Sequence, residues 1–155
     1  MTKEEILNYP LDECPKGWHP LVKDLLRNIS HHLGRYQEVE VIRDKLLAEG
    51  KEITGLYDWI NKVLEYPEDP MLSFGIDQVK SKFGGLRFYY HGGDEWIRGA
   101  VAMVESISYT MCETCGANSA SRINDGWTLT LCNSCNDKRL ALKTLRELEI
   151  DKNGE

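Results

Sequence analysis

The stretch that decides the fold is CETCGANSASRINDGWTLTLCNSC, residues 112 to 135. It holds two Cys-x-x-Cys pairs, Cys112/Cys115 and Cys132/Cys135, with sixteen residues between them. This is the spacing of a four-cysteine zinc site. A Cys-x-x-Cys turn aims two thiolates at one point and leaves backbone N–H groups free to donate to sulfur. Two such turns complete a tetrahedron around one Zn²⁺. The linker is long enough for a short antiparallel hairpin that carries the second turn back to the first. Trp127 to Leu131 (WTLTL) reads as the strand entering the second turn, and Trp127 as a shield over the metal. Gly116 follows the first turn, where a positive φ is wanted. Four sulfur ligands leave no position for water, so the zinc is expected to be structural, one per chain. Two disulfides would need an export signal, and the N-terminus MTKEEILNYP is charged and lacks an apolar core. A redox pair would need only one Cys-x-x-Cys in a thioredoxin-like unit. An iron–sulfur cluster fits the symmetric spacing less well. The fifth cysteine, Cys14, is unpaired and reads as a buried or surface thiol.

Upstream, residues 74 to 91 read FGIDQVKSKFGGLRFYYH. Two β-rich runs flank Gly84-Gly85, a two-residue hairpin signal. Tight pairing about these glycines sets Phe83 opposite Leu86, Lys82 opposite Arg87, Ser81 opposite Phe88, Lys80 opposite Tyr89 and Val79 opposite Tyr90. Two faces then separate. Val79, Ser81, Phe83, Leu86, Phe88 and Tyr90 want a core. Gln78, Lys80, Lys82, Arg87, Tyr89 and His91 are basic and aromatic. Residues 78 to 91 carry three positive charges and neither Asp nor Glu.

The remaining segments are helical. Leu21, Val22, Leu25, Leu26, Ile29 and Leu33 form one 3.6-period face after Trp18. Pro20 suits the first turn of that helix, and Gly34 is a candidate end. A second helix spans about 37–48 and a third about 54–66, broken at Pro67-Glu-Asp-Pro70. A fourth runs from about 94 to 111. Asp94 caps it, with a stripe of Trp96, Ala100, Met103, Val104, Ile107 and Met111. A last helix spans about 136–148, before a frayed tail from Asp151. Trp18, Trp59 and Trp96 read as core anchors, and His31 and His32 as surface or core histidines. The expected class is α+β: a helical N-terminal part packed on a β-hairpin, then a helix and a C-terminal zinc ribbon. The expected domains are 1–111 and 112–150.

The run QVKSKFGGLRFYY, with GWHPL upstream and the Cys-x-x-Cys pair and GW…LC downstream, resembles a family of small bacteriophage and prophage proteins. The resemblance covers most of residues 17 to 135, and KFGGLRF at 82–88 is its most specific piece. It implies a helical part, this hairpin, a helix and a terminal cysteine module, in a bacterial cytoplasm. It adds no catalytic residue.

The chain has 155 residues, 19 Lys+Arg, 25 Asp+Glu and a net charge of -6. That excludes a protein coating nucleic acid with its whole surface. The acidity sits early, with 14 acidic and 9 basic side chains in the first 70 residues. No apolar run approaches the roughly 18 residues that span a bilayer, so no membrane partner is expected. The hairpin face has two readings. As a ligand site, Lys80, Lys82 and Arg87 meet phosphates, Tyr89 and His91 stack on a base, and Gln78 reads a base edge or ribose hydroxyl. As a plain strand face, its charges face water and block aggregation, or pair with the acidic helices of the same chain. No HExxH, GxSxG or phosphate loop is present, so a non-enzymatic protein is expected. Asp77, Gln78 and Lys80 would begin a metal-dependent nuclease, but one Asp does not hold Mg²⁺. The expected partner is nucleic acid or a nucleotide. The alternative is a host enzyme or defence factor, met by the acidic helices imitating the charge of DNA.

Overall fold

The computed structural model describes residues 1–65 and 73–152. It is α+β, as expected, with helices and two small antiparallel hairpins. The expected break at 67–70 and the last three residues of the tail lie outside the described residues.

The chain opens with a short helix, α1 (Lys3–Leu7). Thr2 accepts from the Glu5 N–H while the Glu5 carboxylate accepts from the Thr2 N–H, a reciprocal capping box. A 3₁₀ turn (Lys16–Trp18) then enters α2 (His19–Gln37), with Pro20 in its first turn. Gly34 does not end α2, which runs on to Gln37. α2 buries Val22, Leu25, Leu26, Ile29 and Leu33 against Ile6, Trp18, Phe74, Val79, Leu86, Phe88, Ile97 and Val101. This is the main core. α3 (Val39–Ala48) and α4 (Asp58–Glu65) close a second, smaller cluster of Val39, Leu46, Ile60 and Val63. The Tyr36 ring meets the half-buried Trp59 edge-on at 5.4 Å and joins the two clusters.

β1 (Gly75–Lys82) and β2 (Gly85–His91) form the first hairpin. Its register differs from the expected one. Lys82 pairs with Gly85, Ser81 with Leu86, Lys80 with Arg87, Val79 with Phe88 and Gln78 with Tyr89. The turn is therefore Phe83-Gly84, with φ of 54° and 70°, not Gly84-Gly85. Two positive φ values in succession are the mark of a type I′ turn. Each strand partner moves by two, an even step, so the two faces survive. Phe83 alone leaves its expected place: it is 66% exposed. The reason lies in the glycines. A Cβ on Gly85 would meet the Tyr109 ring at 2.5 Å, so Gly85 is a strand residue under an aromatic ring. A bulge at Asp77 then brings Ile76 opposite Tyr90.

α5 (Glu95–Ser108) covers the outer edge of β2. The Leu86 N–H donates to Ser108 Oγ at 2.9 Å and the Phe88 N–H to Glu105 Oε1 at 2.8 Å. Two N–H groups on the outer edge of β2 are thus satisfied by side chains. Asp94 caps α5 through the Ile97 N–H at 3.0 Å. The buried stripe is Ile97, Val101 and Ser108, with Ala100, Val104 and Met111 half-buried. Trp96, Met103 and Ile107 are exposed, contrary to expectation. The buried face is centred on Ile97 and Val101, which pack against α2 and the hairpin. Trp96 lies flat on the His32 ring at 4.3 Å instead.

β3 (Ser121–Asp125) and β4 (Trp127–Leu131) form the second hairpin, followed by α6 (Asn133–Lys152). Leu142, Leu145 and Leu148 of α6 are exposed.

Candidate metal centre and the adjoining hairpin face

The two Cys-x-x-Cys turns meet. One sulfur from each of Cys112, Cys115, Cys132 and Cys135 lies within 4.8 Å of the other three. Among the described residues this is the one cluster of three or more metal-ligating side chains so placed. The local backbone explains the convergence. The Cys112 N–H donates to the Ala117 carbonyl and the Gly116 N–H back to the Cys112 carbonyl, both at 2.8 Å. This tight loop needs Gly116 at φ 79°. The Glu113 N–H donates to the Thr130 carbonyl at 2.9 Å, which ties the first turn to β4 just before Cys132. The second turn opens α6, where the Asn136 N–H donates to the Cys132 carbonyl at 3.0 Å.

The electrostatics suit a cation. Burial opposes a thiolate at Cys112, but the backbone N–H groups of Cys132, Cys115 and Thr114 outweigh it and bring its thiol down to about 6. Cys135 is pushed up to about 12, first because its thiol hydrogen-bonds the sulfurs of Cys115 and Cys132. Four thiols around one point thus already favour one thiolate, and a dication would stabilise the others. The donor set fits a soft, tetrahedral metal, and the architecture is consistent with a zinc ribbon. Trp127 does not shield it: it is 82% exposed at the hairpin tip. The covering groups are Leu131, with Ala117, Ala120, Ile123 and Leu129 around it.

The centre is joined to the main core. The Gly17 N–H donates to the Glu113 carbonyl at 2.9 Å, and the Trp18 indole N–H to the Met111 carbonyl at 2.8 Å. Trp18 is fully buried, as its expected anchoring role requires. A side chain on Gly17 would strike the Cys112 carbonyl oxygen at 2.2 Å. Glu113 itself is buried, and burial pushes its carboxyl up. Cys14 is buried away from the cluster, and burial pushes its thiol up to about 11.

The six residues of the basic and aromatic hairpin face are exposed or half-buried, not covered by the acidic helices. They fall into two groups. Near the open end, Gln78 donates to Glu13, and His91 pairs with Asp77 at 2.9 Å. Near the turn, Lys80 lies over the Tyr89 ring at 5.6 Å, and Arg87 donates to the Tyr109 hydroxyl at 2.7 Å. That hydrogen bond holds the Arg87 guanidinium still more firmly charged. Sequence reading missed two contributors there, Tyr109 and Arg122. Arg122 lies over the Tyr109 ring at 5.3 Å and donates to the Phe83 carbonyl at 2.8 Å. Neither carries a motif; only tertiary packing brings them to the hairpin.

No helix among the described residues is long and apolar enough to cross a membrane. Comparison with protein-family models, with curated proteins and with solved structures finds no match to this chain.

Proposed function

We propose that this is a non-enzymatic zinc-ribbon protein that binds nucleic acid or a nucleotide through its first hairpin. One Zn²⁺, held by Cys112, Cys115, Cys132 and Cys135, has a structural role. It fixes the ribbon against the hairpin turn and reaches no substrate, because all four positions are sulfur. The resemblance to phage and prophage proteins supports a setting in a bacterial cytoplasm.

The observation that carries the reading is the cationic turn end of the hairpin. Lys80, Lys82, Arg87 and Arg122 gather there without an ion pair to any described carboxylate. They sit in a chain of net charge -6, so the fold concentrates positive charge at one place. Exposed Tyr89 beside Lys80 adds a stacking surface. Gln78 and His91 extend the face toward its acidic end.

The test is Lys80→Ala combined with Arg87→Ala, read by binding of labelled oligonucleotide across a salt series. The reading expects steep salt dependence in the wild type and a loss of binding in the folded double variant. Unchanged binding by that variant would remove the hairpin face from the account.

A further inference from the structure

We propose that the hairpin turn and the ribbon strand beneath it form a composite site for single-stranded nucleic acid, with Phe83 as a base-stacking platform. The inference rests on the hairpin-face reading above and narrows its ligand.

Phe83 is the starting point. Among the described residues it is the one non-glycine with a positive φ, at 54°. The first position of a type I′ turn favours Asn, Asp or Gly, and a bulky aromatic there is strained. Its ring fills no core, since it stands 66% exposed. Neither backbone preference nor burial accounts for Phe at this position.

The surroundings hold the strained turn in place. Arg122 binds the Phe83 carbonyl at 2.8 Å, and the Thr130 hydroxyl donates to the Gly84 carbonyl in a buried bond. Gly84 lies so close to β4 that a Cβ would sit 3.2 Å from the Leu129 carbonyl carbon and from Thr128 Cγ2. Both turn carbonyls are therefore fixed by the ribbon. Strain of this kind persists where neighbours over-determine it, as at ligand sites.

Cations flank the ring. Lys82 Nζ lies 5.6 Å from the Phe83 centroid, repeating the Lys80–Tyr89 pair further along the sheet. Arg87 and Arg122 lie 5.7 and 5.3 Å from the Tyr109 centroid. Two exposed rings, each beside its own lysine, with two arginines between hairpin and ribbon, match what an unpaired strand presents. Its phosphates need cations, and its splayed bases need flat apolar faces. A duplex hides its base faces and would meet only the cations. The recognition is sequence-tolerant, since every base has such a face.

The experiment compares a short fluorescent oligo-thymidine strand with a blunt duplex of matching length, by anisotropy, for wild type and for Phe83→Asn. Asn suits the turn, so this variant folds at least as stably as wild type. The proposal expects the single strand to bind more tightly than the duplex. It expects Phe83→Asn to weaken single-strand binding about tenfold while leaving duplex binding unchanged. If Phe83→Asn leaves single-strand binding intact, or weakens both forms alike, the stacking site is wrong. Loss of binding on Lys80→Ala with Arg87→Ala would then still uphold the hairpin face. If wild type binds neither form, the stacking site falls together with the nucleic-acid reading of the hairpin face, and only the nucleotide reading is left.

Discussion

The indole N–H of Trp18 donates to the carbonyl of Met111 at 2.8 Å, across 93 residues of sequence. One residue earlier, the Gly17 N–H reaches the Glu113 carbonyl. The entrance of α2 therefore grips the backbone on both sides of Cys112. The candidate metal centre is not an appendage: its first turn is built against the main core.

Gly17→Ala should damage both parts at once. Its Cβ would meet the Cys112 carbonyl oxygen at 2.2 Å and the Gly116 nitrogen at 2.7 Å, both backbone atoms. We expect a loss of about 1–3 kcal/mol in chemical denaturation, typical of overpacking. We also expect faster metal release to a chromogenic chelator. Wild-type stability with wild-type release would show that the two parts are uncoupled.

Gly85→Ala tests the other contact between sheet and helix. The new methyl would press on the Tyr109 ring, the shared platform of Arg87 and Arg122. Destabilisation of about 1–3 kcal/mol is expected. Tyr109→Ala added to Gly85→Ala should recover part of it, because the clash is gone. Purely additive losses in a double-mutant cycle would reject the contact.

Phe83→Asn should change stability in the opposite direction from Gly85→Ala. Relief of a positive φ in a bulky residue is worth about 1 kcal/mol, and exposed Phe83 forfeits little burial. A higher midpoint of thermal unfolding is the expected result. A lower one would mean that the exposed ring supports the fold.

The acid side of the stability curve should report Asp94. Burial would raise its pKa, but the Ile97 N–H and the His32 ring, 2.8 Å away, outweigh it and hold the carboxyl below its usual value. A depressed carboxyl contributes stability that is fully present above its unfolded value of about 3.9 and is lost as pH falls through the lower folded value. Asp94→Asn keeps a capping oxygen while removing this titration. Its unfolding free energy should fall less steeply than that of wild type below about pH 4. Parallel acid limbs for the two proteins would contradict the assignment.

What was legible in the sequence follows a physical division. The cysteine spacing specified the four-cysteine cluster because local turns fix the aim of each pair. The hairpin faces were legible because strand parity survives an even register shift. The turn itself was not, because Gly84 and Gly85 answer to Thr128, Leu129 and Tyr109, which are distant in sequence. Trp96 sits on a periodic apolar stripe yet overhangs the edge of its core, and Trp127 opens β4 at the hairpin tip, at the far end of the strand from Cys132 and so beyond reach of the metal centre. The capping box of α1 is a local signal, Thr2-x-x-Glu5, legible in the sequence. Arg122 and Tyr109 left no local signal.

The central claim is that one metal, held by four thiolates, locks the ribbon onto the hairpin. Native mass spectrometry of the reduced, freshly purified chain tests it most directly, with thiol alkylation before and after chelation. The account predicts one zinc per chain and four cysteines that become alkylated only when the metal is removed. A metal-free chain whose Cys112, Cys115, Cys132 and Cys135 react at once while it remains folded would contradict it.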